Sequence, residues 1–74
     1  MYEQFKELLI DELQIAEDKI TPEAELLNDL GVNSIDLAEL ILRCEETFNI
    51  TIEDDDLHSF TTVGDIVKFL ESKQ

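Results

Sequence analysis

Ser34 is the hydroxyl most open to chemistry by another protein, because of the run in which it stands: Asp29-Leu30-Gly31-Val32-Asn33-Ser34-Ile35-Asp36-Leu37. Gly31 breaks the chain, Asn33 and Ser34 are both good N-cap residues, and Asp36 adds negative charge to a first helical turn. The hydroxyl is expected at a helix start, beside acids and off the apolar stripe that follows. On frequency alone a serine at such a place is a cap and not a modified residue, so the rest of the chain has to decide. Other candidate chemistry is sparse. Cys44 is the only cysteine and falls on an apolar stripe, where it reads as a small buried hydrophobe. His58 is the only histidine and reads as a surface residue near acids. Glu53-Asp54-Asp55-Asp56 lacks the spaced oxygens, turn glycine and closing glutamate of a calcium loop. There is no Ser/His/Asp set, no glycine-rich phosphate loop and no Cys/His cluster, so the pattern argues against an enzyme and against a structural metal.

A second surface carries charge. Asp36, Glu39, Arg43 and Glu46 recur at i, i+3, i+7 and i+10, which puts them on one helix face with Glu45 beside it. Ala38 and Leu42 lie one turn apart outside the core stripe and add apolar area to that face. Five Lys/Arg against 19 Asp/Glu leave a net charge of −14, which repels nucleic-acid backbones and anionic lipid surfaces. The same charge steers the chain toward partners with basic docking patches. Arg43 interrupts the acids and reads as a residue that tunes partner choice.

The elements that must hold these groups are helical. A chain of 74 residues with 43% apolar content builds one domain around one small core. Tyr2, Phe5, Leu8, Leu9 and Leu13 predict a first amphipathic helix of about three to four turns. Periodicity fades from Gln14 to Asn33, a long loop in which Thr21-Pro22-Glu23 predicts a short turn. Ile15, Ile20, Leu26, Leu27 and Leu30 are the residues expected to hold that loop down. The second helix starts at Asn33 or Ser34 and buries Leu37, Leu40, Ile41, Cys44 and Phe48. Asn49 and Ile50-Thr51-Ile52 end it. A short turn holding Leu57 and Phe60 follows, and Thr62 with Asp65 forms a capping box for a last helix running to about Glu71. The fold class is all-α, a small bundle of three main helices and one short helix, with a long loop after the first. The first residues carry Glu3 and Glu7 among the apolar ones and no small-residue cleavage site, so they read as helix and not as a secretory leader. No apolar run approaches the roughly 20 residues of a membrane span. The expectation is a cytoplasmic monomer.

Leu30-Gly31-Val32-Asn33-Ser34-Ile35, the acids Asp36, Glu39, Glu45 and Glu46, and the stretches Ile50-Thr51-Ile52 and Thr61-Thr62-Val63 together resemble the acyl carrier protein family over nearly the full chain. The resemblance implies that residues 1–74 form an acyl carrier domain. It implies that Ser34 receives 4'-phosphopantetheine from coenzyme A through a phosphopantetheinyl transferase using a divalent metal. It further implies that the arm carries acyl groups as thioesters to acyl-transferring or condensing enzymes of fatty acid, polyketide or related biosynthesis. Asp36, Glu39, Leu42, Arg43, Glu45 and Glu46 are the partner-docking residues on this reading. Asn33 departs from the family's usual Asp and Ile35 from its commoner Leu. An aminoacyl or peptidyl carrier is the alternative within that chemistry, and a non-carrier acidic module that mimics nucleic acid is the alternative outside it.

Overall fold

The structure, a computed structural model, describes residues 1–73. The apolar spacing of the first segment forms α1, Tyr2–Leu13, which buries Phe5 and Leu9 completely. It stops where Gln14 turns left-handed at φ 55° and donates its N–H to the Ile10 carbonyl at 3.0 Å. α2, Ser34–Phe48, buries Leu40, Ile41 and Cys44, while the outer members of its expected stripe, Leu37 and Phe48, are half-buried. Asn49 closes it in the left-handed conformation, with φ 55° and ψ 52°. α3, Asp54–Leu57, is a single turn, and Phe60 lies beyond it in the connection to the next helix. α4, Val63–Ser72, starts at the Thr62–Asp65 capping box and buries Val63, Ile66, Val67 and Leu70. The architecture is therefore the expected all-α bundle of three main helices and one short one.

α1 packs against both α2 and α4, so Phe5 and Leu9 sit at the centre of one core. Each such side chain, fully removed from water, contributes about 1.5–3 kcal/mol. Phe60 and Phe69 meet edge to face at a centroid distance of 5.2 Å and close the end of the core near the last connection. Among the described residues no polar or charged residue is buried, so the core is held by apolar packing alone.

The loop between α1 and α2 is more ordered than its faded periodicity predicts. It holds one 3₁₀ turn, Glu17–Lys19, and then runs antiparallel to the residues that open α4. Leu26 N–H donates to the Thr61 carbonyl at 3.0 Å, Val63 N–H to Ala24 at 3.0 Å, and Gly64 N–H to Pro22 at 2.8 Å. Gly64 is needed for this approach, because a Cβ there would stand 2.9 Å from the Pro22 carbonyl oxygen. Ile20 and Leu26 pack into the core as expected, joined by Ala24 and Val32. Leu27 does not: it is 64% exposed, because the backbone bonds of Leu26 on either side turn the next side chain outward.

Candidate functional site

The start of α2 is built from both sides. Upstream, Asp29 Oδ2 accepts from Glu25 N–H at 2.7 Å and Asp29 N–H returns to the Glu25 carbonyl at 2.9 Å, which folds residues 25–29 into a turn. Val32 is buried and donates its N–H to Leu26 at 2.8 Å, so the strip leading into the helix is pinned three residues short of the serine's neighbour Ile35. Gly31 makes the bend between these anchors at φ +69°, a left-handed conformation with open space around its Cα.

The cap then falls to Asn33. Its Oδ1 accepts from Asp36 N–H at 2.8 Å and its carbonyl accepts from Leu37 N–H at 2.9 Å. Two residues were equally good caps by type, and this bond decides between them: Ser34 is the first helical residue, exposed, with a hydroxyl that the helix does not use for capping. Its N–H and that of Ile35 are first-turn donors with no intrahelical acceptor available, and the helix dipole adds partial positive charge there. Ile35 is 71% exposed beside it.

The predicted docking residues divide. Glu39, Leu42, Arg43 and Glu46 line one groove of about 200 Å³ between α1 and α2. Leu42 is 57% exposed in it, and among the described residues it is one of three large apolar side chains left in water, with Leu27 and Ile35. Asp36 stands a turn nearer the serine, half-buried. Glu45 is not part of this group: it is half-buried, and its Oε2 accepts from Ile52 N–H at 2.8 Å, which ties the chain after α2 back onto the helix. Glu12 belongs to this groove although no sequence pattern marks it. This α1 residue lines the same groove and holds Arg43 in an ion pair, with Oε1 2.8 Å from Nε. Nothing local in the sequence signals it, because the partners are 31 positions apart.

Cys44 carries no chemistry here. It is fully buried, and burial, with a smaller push from the Glu45 carboxylate, holds its thiol at about 12, so it is not a thiolate at neutral pH. His58 is exposed and lines a separate surface groove with Leu27 and Phe60. Among the described residues no group of three or more His, Cys, Asp or Glu is arranged to hold a metal ion.

The phosphopantetheine attachment site family matches residues 3–70. The chain is 41% identical over 70 residues to the acyl carrier protein of Clostridium perfringens strain SM101, covering 95% of this chain and 92% of the relative. The acyl carrier protein of Clostridium perfringens strain 13 is similar to the same extent. The chain belongs to the acyl carrier protein family. Members of this family are carriers and not enzymes, and their prosthetic group is a covalently bound phosphopantetheine. The carrier role displaces the reading of the chain as a nucleic-acid mimic. The residues at the start of α2 fit that group: an exposed hydroxyl can form the ester bond, and the free first-turn N–H groups and positive dipole end suit the phosphodiester's negative charge. Among the described residues no helix is long and apolar enough to cross a membrane.

Proposed function

We propose that Ser34 is the attachment residue for 4'-phosphopantetheine, and that the chain carries acyl groups for enzymes of fatty acid, polyketide or related biosynthesis in the cytoplasm. The observation that carries the assignment is the division of labour at the start of α2. Asn33 caps the helix, so the exposed Ser34 hydroxyl is left for modification. Asn33 also accounts for the departure from the family's Asp: an amide oxygen accepts the same N–H bond as a carboxylate, with one negative charge fewer beside the serine.

The chain's own residues bind and present. The anchored turn at residues 25–32 and the cap hold Ser34 in one place. The acids and Leu42 on the outer face of α2 meet basic and apolar groups of the partner. Once bound, the arm supplies a terminal thiol that forms thioesters with acyl cargo. Ser34 has no histidine nearby in sequence to serve as its base, and His58 lines a groove elsewhere, so deprotonation of the hydroxyl belongs to the phosphopantetheinyl transferase. Asp36, Glu39, Leu42, Arg43 and Glu46 are the docking residues on this reading, and Glu45 contributes through its hold on Ile52.

The test is intact mass after incubation with coenzyme A, magnesium and a broad-specificity phosphopantetheinyl transferase. The expected result is a gain of one phosphopantetheine on the natural sequence and none on Ser34→Ala, with both proteins equally helical by circular dichroism. A gain on Ser34→Ala would move the attachment site elsewhere, and no gain on either folded protein would remove it.

A further inference from the structure

Arg43 has three carboxylates to choose from. Glu39 lies four residues before it and Glu46 three after it on α2, the spacings at which a helix forms its own ion pairs. Both line the groove with it, yet the guanidinium goes across to Glu12 on α1, with Nε 2.8 Å from Oε1. Among the described residues neither Glu39 nor Glu46 is in an ion pair. The Glu12 side chain is 29% exposed in this pair, so water screens its attraction for Arg43 only in part.

We propose that Glu12 is a positioning residue for partner recognition: by holding Arg43 against α1, it keeps Glu39 and Glu46 unneutralised for the basic side chains of partner enzymes. This rests on the docking reading of α2 given above. The occupant of the groove is a lysine or arginine of the partner, its charged head at Glu39 or Glu46 and its apolar stem on the exposed Leu42. With Glu12 absent, Arg43 swings to its own helix and occupies those carboxylates itself. Glu12 thus acts on the docking carboxylates through Arg43.

A double-mutant cycle separates this from a simple count of charges. KM and kcat of the phosphopantetheinyl transferase for the apo chain are measured at low salt for the natural sequence, Glu12→Gln, Arg43→Gln and the double variant. With Arg43 present, Glu12→Gln is expected to raise KM by about three- to fivefold with kcat unchanged, the upper part of the range for one exposed charge pair. In the Arg43→Gln background the same change is expected to raise KM less than about twofold, because there is no guanidinium left to misplace. Equal effects in the two backgrounds would overturn the proposal and leave Glu12 as one more negative charge. A second readout needs no partner: nuclear Overhauser contacts from Arg43 Hδ should pass from Glu12 to Glu39 or Glu46 in Glu12→Gln. Their failure to appear would equally overturn it. Modification of Ser34 in all four proteins, whatever their KM, keeps this outcome distinct from failure of the attachment site.

Discussion

Two helix starts in this chain use the same capping chemistry and end up in opposite surroundings. At α2 the Asn33 side chain accepts from the N–H three residues on, at 2.8 Å, and at α4 the Thr62 hydroxyl accepts from Asp65 N–H at 3.2 Å. The α4 start is then closed. Asp65 Oδ2 takes the N–H groups of Thr62 at 3.0 Å and Thr61 at 3.2 Å, the loop carbonyls of Ala24 and Pro22 take those of Val63 and Gly64, and Val63 is fully buried. The α2 start receives no such cover. Ser34 and Ile35 face water, and the first-turn donors have no strand of loop laid across them. A cap makes a helix begin, and what packs over the cap decides whether that beginning is closed or open to solvent.

The largest way to break the contrast is to open the closed end. Gly64→Ala drives a methyl group against the Pro22 carbonyl and should cost about 2–3 kcal/mol, the range of a buried steric clash that displaces backbone. Gly31→Ala at the open end meets no atom and should cost only about 1–2 kcal/mol, the penalty of a left-handed alanine. Urea unfolding of both variants checks the order, and hydrogen exchange at Leu26 should speed up in Gly64→Ala alone if the paired loop has lifted. Similar costs with unchanged exchange would mean that the clamp is not a stabilising element.

Removing the caps sharpens the same point. Thr62→Ala should lose about 1.5–2 kcal/mol and Asn33→Ala about 0.5–1 kcal/mol, the two ends of the measured range for caps. The difference arises because the Asp36 N–H orphaned at α2 is exposed and can turn to water, whereas that of Asp65 at α4 is part-buried. Thermal melts that rank the two the other way would contradict it.

The smallest effect is in pH. Asp65 is held below the usual carboxylate range chiefly by the Thr62 N–H; desolvation, the next largest influence, opposes it, and the Thr61 N–H, the Thr62 side chain and Lys68 add smaller pulls downward. A carboxyl whose folded pKa is depressed stabilises the fold above its unfolded value and loses that contribution as pH falls through the folded one. The stability advantage of the natural sequence over Asp65→Asn should therefore be full near pH 6 and shrink below about pH 4, the unfolded carboxyl range. Taking the difference between the two proteins removes the opposite trend from a chain of net charge −14, whose self-repulsion is relieved by acid. Denaturant midpoints across that interval report the change, and a constant difference would rule out a role for the Asp65 charge.

The four helices, the Thr62–Asp65 box, the buried Cys44 and the serine at the start of α2 were all legible in the sequence, because each depends on residues within one or two turns of one another. Apolar periodicity, cap residues and the Leu30 to Ile35 signature are local patterns, and local hydrogen bonding enforces them whatever the rest of the chain does. The tertiary structure alone decided that residues 24–26 pair with the start of α4 and that Leu27 faces water while Leu26 does not. It also turned Glu45 toward Ile52 and carried Arg43 across to Glu12. These outcomes are choices among groups of equal local fitness, settled by which acceptor or carboxylate the folded chain brings within reach, and distance in space is not written in the order of residues.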